Sequence, residues 1–305
     1  MKPVEIKKLI NAPTVYNTGL TEKTAILLDG IAYMFKPATE DRYGNYQATS
    51  ESEYIGSHIY QMIGIPAHET LLAKYKGRIG VLCKDFLVNS SSDLILYEFA
   101  AVAKDYFIKE GISSPGLSRE KVSLSQISQV LGQADLLEEI RIEAHNRFWQ
   151  MFVIDSFIEN YDRHIGNWGY IFNKNTESIS LAPVYDCAAS FNPQHSDEDL
   201  TDLLELSPET MLYRLDFGYQ SSAIRNSNPN VKMSLEHILF DIKEPGCMKA
   251  VHEIVPKIKE TMPSLLEMID SVETLSDKRK EYIKTTLRYR LDNILIPTYQ
   301  KLDRN

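Results

Sequence analysis

Cysteine is scarce in this chain, with Cys83, Cys187 and Cys247 the only three in 305 residues. Their number is odd and their spacing matches no metal-ligand pattern. Neither a disulfide framework nor a zinc site is therefore expected, and reduced thiols are the default reading. Long apolar runs are also missing: the richest stretch, Leu94 to Ala103, contains Glu98 and falls short of the roughly 18 residues that a membrane span needs. Residues 1–20 lack an apolar secretory core, so a cytoplasmic location is expected, leaving export to a dedicated secretion system that would leave no readable mark. Basic charge is in deficit. Lys and Arg number 33 against 42 Asp and Glu, a net charge of −9. Phosphate-backbone binding needs a basic footprint, so no nucleic-acid partner is expected, whereas a basic protein substrate would suit the balance. No Gly-x-Gly-x-x-Gly, no Walker phosphate loop and no His-Glu-x-x-His occurs, which removes dinucleotide folds, P-loop NTPases and zincin proteases. Internal repeats and low-complexity tracts are absent as well.

What is present is an ordered set of polar residues. One segment reads Asn160-Tyr-Asp162-Arg163-His164-Ile-Gly166-Asn167-Trp, and after a strand-like stretch a second reads Ala182-Pro-Val-Tyr-Asp186-Cys. Phosphoryl transfer from a nucleotide needs mainly positioning and charge neutralisation. An Asp can accept a hydroxyl proton, as Asp162 would. A hard Mg²⁺ takes oxygen ligands, which Asn167 and Asp186 can supply. His164 is expected to brace the loop through backbone hydrogen bonds. Protein kinases keep the same five-residue gap between Asp and Asn in a His-Arg-Asp loop, inverted here to Asp-Arg-His. Taken alone, the segment can equally be a polar turn whose Asp and Asn serve the backbone.

The upstream sequence weighs against that alternative. Thr18-Gly19-Leu20-Thr21-Glu22-Lys23-Thr24 is a polar turn leading into an apolar strand, and Asp29-Gly30 marks a hairpin. The next strand ends on Lys36-Pro37, where a lysine can reach nucleotide phosphates as a point charge. Ser52-Glu53 is expected to open a helix, with Ile55, Ile59, Met62 and Ile63 on one face and Gly64 as its stop. Glu53 is the expected partner of Lys36. A further hairpin turns at Lys76-Gly77. Its second strand ends in Cys83-Lys84-Asp85-Phe86, where backbone groups of Lys84, Asp85 and Phe86 can meet an adenine edge, or form an ordinary strand end. Helices are expected over 94–110, 123–131, 134–160 and 278–303.

Together these motifs resemble the HipA-like serine/threonine kinases. Thr18-Gly19-Leu20-Thr21-Glu22-Lys23-Thr24-Ala25 is similar to their phosphate loop, Phe35-Lys36-Pro37 to their Leu-Lys-Pro motif, and Glu53-Tyr54 to their Asn-Glu-Tyr helix. Asp162-Arg-His164-Ile-Gly-Asn167 looks like their Asp-x-His-x-x-Asn loop, and Ala182-Pro-Val-Tyr-Asp186 like their Thr-Pro-Phe-Tyr-Asp metal motif. The Cys83–Phe86 strand and the Arg163–Gly169 run sit nearer a compact branch, typified by a secreted, cell-translocating pro-inflammatory bacterial kinase. The resemblance implies an α+β, two-lobed protein-kinase-like fold of HipA type: a small β-rich N-lobe over 1–87 and a larger, mainly helical C-lobe over 88–305. It implies ATP and Mg²⁺ as cofactors and a protein hydroxyl as acceptor. Three departures qualify it. Only residues 1–16 precede the loop, so the antitoxin-docking subdomain of toxin-type members is not expected. Gly166 replaces the loop lysine of the family. The autophosphorylated serine is not matched, which leaves Thr14, Tyr16, Thr18 and Thr21 as candidates. A phosphoinositide-type lipid or small-molecule kinase shares Asp-Arg-His-x-x-Asn and stays open as an alternative, as does a nucleotide-binding pseudokinase.

Overall fold

The structure is a computed structural model that describes residues 1–6, 24–87, 93–111, 122–207, 210, 220–225, 232–234 and 244–303. The expected phosphate-loop residues Thr18, Gly19, Leu20, Thr21, Glu22 and Lys23, with Thr14 and Tyr16, lie outside the described residues.

The N-lobe is a five-stranded sheet with one helix. Strands β1 (Val4–Ile6), β2 (Thr24–Leu28) and β3 (Ile31–Pro37) come first, then α1 (Thr49–Met62), β4 (Thr70–Tyr75) and β5 (Arg78–Lys84), giving the sheet order β1-β4-β5-β3-β2. Both hairpins turn where the sequence signals them. Asp29-Gly30 and Lys76-Gly77 each place two consecutive residues at positive φ, the primed geometry that suits the strand twist. β1 joins by parallel pairing to β4 and has no counterpart in the expected elements. One face of the sheet buries Ile6, Ile26, Tyr33, Phe35, Ala73 and Leu82.

The opposite side receives α1, whose Tyr54, Ile55, Ile59 and Tyr60 are wholly buried. The helix starts at Thr49, three residues before the expected Ser52. Glu51 is therefore the first-turn acid, and Glu53 sits a turn deeper with 0% exposure. Gly64, at φ 88°, lies past the helix end as expected.

The C-lobe is mainly helical. In order come β6 (Leu94–Glu98), α2 (Phe99–Lys109), β7 (Val122–Ser123), α3 (Leu124–Gln133), a 3₁₀ turn (Asp135–Ile140), α4 (Arg141–Ile158), β8 (Gly169–Asn173), β9 (Ser178–Leu181) and α5 (Asp197–Leu204). Strands β10 (Gln220–Arg225) and β11 (Lys232–Ser234) follow, then α6 (Pro245–Ser271), α7 (Asp277–Arg290), a π turn (Leu291–Leu295) and α8 (Ile296–Asp303). Three expectations are corrected. Residues 94–98 form a strand paired from Leu94↔Asn173 to Glu98↔Gly169, because long-range pairing overrides a local pattern that reads as the first turns of α2. The segment 278–303 is broken by the π turn, and 134–160 opens as the 3₁₀ turn, with the α-helix proper running only from Arg141 to Ile158.

Helix α6 has no counterpart among the expected helices, and it carries Pro256 and Pro263 inside it, each removing a backbone donor. Its apolar face, Val251, Ile254, Val255, Ile258, Leu265 and Ile269, is buried and packs on α4, and that burial outweighs the interior prolines. One hydrophobic core runs from α1 through α4 and α6 to α7, so α1 is packed against both lobes.

Candidate active site

The Asp162–Asn167 segment is aimed by the end of α4. Its run Met151–Ile158 is buried on all sides, as the apolar sequence implies. The helix stops at Glu159, which adopts φ 60°, ψ 39° and turns the chain outward into 160–168. Asp155, the one acid of that buried run, holds the turn together. Its Oδ1 accepts from the Tyr60 hydroxyl at 2.9 Å and from Asn160 Nδ2 at 3.0 Å. Arg163 lies across it: Nε donates to Asp155 Oδ2 at 2.8 Å and Nη2 to Oδ1 at 3.2 Å. Nη1 donates to the carbonyls of Asn167 and Tyr185, which joins the two polar segments through one buried cation.

Inside the loop, the Asp162 carbonyl accepts from His164 N–H at 2.7 Å and from Asn167 Nδ2 at 2.8 Å. That second bond fixes the amide and leaves Asn167 Oδ1 as the atom a cation can use. His164 Nδ1 accepts from Gly166 N–H at 3.1 Å and its carbonyl from Asn167 N–H at 2.8 Å. The histidine thus braces the backbone of the loop. Trp168 stacks on Phe99 at 4.1 Å between ring centroids and is buried, a packing role.

The second segment is held from the N-lobe. Residues Pro66 and His68 exchange backbone hydrogen bonds with Val184, so the chain reaches Asp186 already pinned. Asp186 sits at φ 63°. Its amide donates to Glu53 Oε1 at 3.2 Å, and its Oδ1 lies 3.5 Å from Lys36 Nζ. Lys36 therefore faces Asp186 directly, and Glu53 reaches the same spot through the Asp186 backbone. Burial works against the Lys36 charge, but the carboxylates of Asp186 and Glu53 outweigh it and hold its pKa above the ordinary lysine value. Burial pushes Glu53 upward, partly offset by Lys36. Cys187 is enclosed, and burial raises its thiol well above the usual range, which favours packing over reactivity.

These groups line one cleft of about 1080 Å³, together with Met34, Cys83, Leu96, Tyr161, Tyr185 and Gln194. Lys36, Glu53, Asp85, Phe86, Asp162, His164, Asn167 and Asp186 all lie on its wall. Lys84 does not. Its ammonium points outward to Glu69 at 2.8 Å, its amide donates to the Glu69 carbonyl, and its own carbonyl meets His68 Nε2 at 2.8 Å. The amides of Asp85 and Leu87 are likewise taken, by Ala32 O and by Asp85 Oδ1. The apolar cover at that end comes from Phe86, edge-on to His68 and 6.4 Å from the Tyr185 ring. Thr24 pairs with Phe35 beside Lys36, at the start of β2.

Sequence reasoning assigned no role to Arg163, Asp155, Tyr60 or His68. A signal existed for the first two, an arginine within the motif and a lone acid within an apolar helix. Tyr60 and His68 gave none.

Comparison with known proteins agrees with this fold. The profile of the HipA-like C-terminal domain matches residues 17–262. The serine/threonine-protein kinase CtkA of Helicobacter pylori is 28% identical over 290 residues, covering 94% of this chain and 84% of that protein. The crystal structure of the proinflammatory kinase CtkA from Helicobacter pylori superposes with a TM-score of 0.85 at 24% identity, covering 99% of each chain. HipA of Shewanella oneidensis, solved with HipB and operator DNA, gives a TM-score of 0.58 at 13% identity over 95% of this chain and 68% of that one.

Proposed function

The chain belongs to the HipA-like serine/threonine kinase family, and from that premise we propose that it is an ATP- and Mg²⁺-dependent kinase transferring the γ-phosphoryl group to a serine or threonine hydroxyl of a protein. The observation that carries this reading is the convergence of Lys36, Asp162, Asn167 and Asp186 on the wall of one cleft.

The donor set fits the cofactors. Asn167 Oδ1 and the Asp186 carboxylate are hard oxygen donors of the kind Mg²⁺ prefers, and Lys36 is a half-buried cation on the cleft wall, placed to meet phosphate oxygens. Bound Mg-ATP supplies the phosphoryl group and the charge that neutralises its transfer. The chain's own residues do the rest. Asp162 orients the acceptor hydroxyl and takes its proton as the new O–P bond forms and the bond to the β-phosphate oxygen breaks. His164 and Arg163 hold the loop, and Glu53 holds the Asp186 backbone. Residues 18–24 are proposed to cover the phosphates, with Asp85 and Phe86 at the base. The lobes are proposed to divide at 1–87 and 88–305, and autophosphorylation, if it accompanies transfer, to fall on Thr14, Tyr16, Thr18 or Thr21.

A lipid substrate is disfavoured by α5, whose exposed Asp197, Glu198 and Asp202 present negative charge after the metal segment. The test is labelled ATP with the chain alone, with a basic generic protein and with anionic vesicles, for wild type, Asp162→Asn and Asp186→Asn. Label on protein that both variants lose is the expected result. Label on lipid alone, or nucleotide binding without transfer, would replace the reading with a lipid kinase or a pseudokinase. Phosphopeptide mapping after incubation with ATP checks the four hydroxyls.

A further inference from the structure

The back of the cleft holds a second constellation. Glu53 from α1, His68 from the loop before β4 and Cys83 from β5 converge there, all buried, with one ligand-type atom from each within 4.8 Å of the other two. Two of the three are incompletely engaged. Glu53 Oε1 accepts from the Asp186 amide, while Oε2 has no hydrogen-bond partner. His68 Nε2 lies 2.8 Å from the Lys84 carbonyl, an acceptor, so that nitrogen carries the proton. Nδ1 is then left with a lone pair, and it too is buried without a partner. Polar atoms in that state are rare in folded proteins because their lost hydration is not replaced. Two of them beside one thiol point to an occupant.

The chemistry of the donors narrows the class. Carboxylate oxygen, imidazole nitrogen and thiol sulfur are together too soft for Mg²⁺ or Ca²⁺, which take oxygen, and suit zinc. A tetrahedral zinc with bonds of about 2.0–2.3 Å separates its ligand atoms by roughly 3.5 Å, so the observed cluster needs only a modest contraction. The Lys84 carbonyl on His68 Nε2 is the kind of second contact that orients metal-bound imidazoles.

We propose that Glu53, His68 and Cys83 form a zinc-binding site at the back of the cleft, with three protein ligands and a fourth position completed by water. On binding, the Cys83 S–H bond breaks, its proton leaves to solvent and a Zn–S bond forms, with no change of oxidation state. The carboxylate and thiolate balance the ion's charge, which leaves Lys36 to Asp186. The three ligands come from separate elements, so no motif spacing announces the site. The inference does not rest on phosphoryl transfer, because its readout is metal binding alone.

The test uses the full chain, reduced and stripped with chelator, dialysed against equimolar ZnCl₂ and analysed for metal, with Co²⁺ as a spectroscopic substitute. The expected result is one zinc per chain and, with cobalt, a near-ultraviolet thiolate charge-transfer band with the visible bands of a tetrahedral ion. Cys83→Ser should abolish the charge-transfer band, and His68→Gln should lose the stoichiometric zinc. Should Cys83→Ser fail to fold, as judged by near-ultraviolet circular dichroism, the wild-type band and His68→Gln decide. A wild-type chain that takes up no zinc overturns the proposal. So does a folded Cys83→Ser that keeps the band, since Cys187 or Cys247 would then be the ligand, and so does a folded His68→Gln that keeps its zinc.

Discussion

Arg163 and Asp155 meet as a two-point fork, Nε to Oδ2 at 2.8 Å and Nη2 to Oδ1 at 3.2 Å, with side chains 7% and 2% exposed. The other edge of the same guanidinium donates to the Asn167 and Tyr185 carbonyls, so the Asp162 loop and the Asp186 segment share one support. Removing one partner of such a pair strands a buried charge. Asp155→Ala is expected to lower unfolding free energy by about 3–5 kcal/mol in a urea titration. Arg163→Lys keeps the charge but loses the planar fork. It should cost less stability yet lower kcat more than it raises the KM for ATP, because the support acts on the relative placement of Asp162 and Asp186. Unchanged kcat in that variant would show the fork to be dispensable.

Gly56 lets α1 approach the segment that follows Asp186. A Cβ at this position would lie 2.6 Å from Cys187 Cβ, an atom fixed to the backbone that cannot swing aside. Alanine would gain about 1 kcal/mol of helix propensity, whereas overpacking costs about 1–3 kcal/mol. The clash should win. Gly56→Ala is expected to be destabilising in a denaturant titration. In a double-mutant cycle with Cys187→Gly, the pair should cost less than the two changes summed. Additive costs would place the clash elsewhere.

Much of this arrangement was legible in the sequence, and for a physical reason. Lys36, the Asp162 loop and Asp186 are strung in chain order, and turns such as Asp29-Gly30 and Lys76-Gly77 declare themselves through backbone demands that few residues meet. What stayed hidden depends on partners distant in sequence. Strand β6 exists because β8 lies beside it. α6 survives two internal prolines because α4 covers its apolar face. Lys84 follows the motif in sequence, but its amide is spent on the Glu69 carbonyl and its carbonyl on His68, partners that only the fold supplies. His68 carries no local signal, and only the folding of β4 and β5 beneath α1 brings it to Glu53 and Cys83.

A buried histidine and a half-buried one make stability depend on acid. Burial, helped by the Lys36 charge, lowers His68 to about 4, and burial also lowers His58, whose Nδ1 sits 2.8 Å from the Tyr54 carbonyl. Both folded-state values lie below the unfolded histidine value of about 6.5. Between about pH 6.5 and 4 the unfolded chain therefore binds more protons, so stability falls as pH is lowered through that window and is fully present above it. For His68 the gap corresponds to about 3 kcal/mol. Measured in metal-free buffer, the wild-type unfolding free energy should drop across this range, and His68→Gln should show a correspondingly shallower drop. Parallel pH curves for the two would mean that His68 titrates alike in the folded and unfolded chains.

Glu159 and Arg290 form a second enclosed pair, Oε1 to Nη2 at 2.9 Å with both side chains 1% exposed, and it ties the C-terminal helices to the entry of the catalytic loop. Around it, Tyr282 from α7 accepts from Asn192 Nδ2 at 2.6 Å, and Arg279 donates to the Asn192 carbonyl at 3.2 Å. The residues after Asp186 are thus anchored on α7 as well. A buried ion pair is weak support for stability as a unit, because desolvation offsets its attraction, but breaking it from one side is severe. Arg290→Met alone should therefore cost about 3–5 kcal/mol by urea denaturation, while Arg290→Met with Glu159→Met should recover most of that loss. The same double variant separates stability from positioning. If the pair serves to hold Glu159 at its left-handed turn and so aim the loop, the refolded double variant should still transfer phosphate more slowly than wild type. If it serves stability alone, recovery of the melting curve should bring the rate back with it.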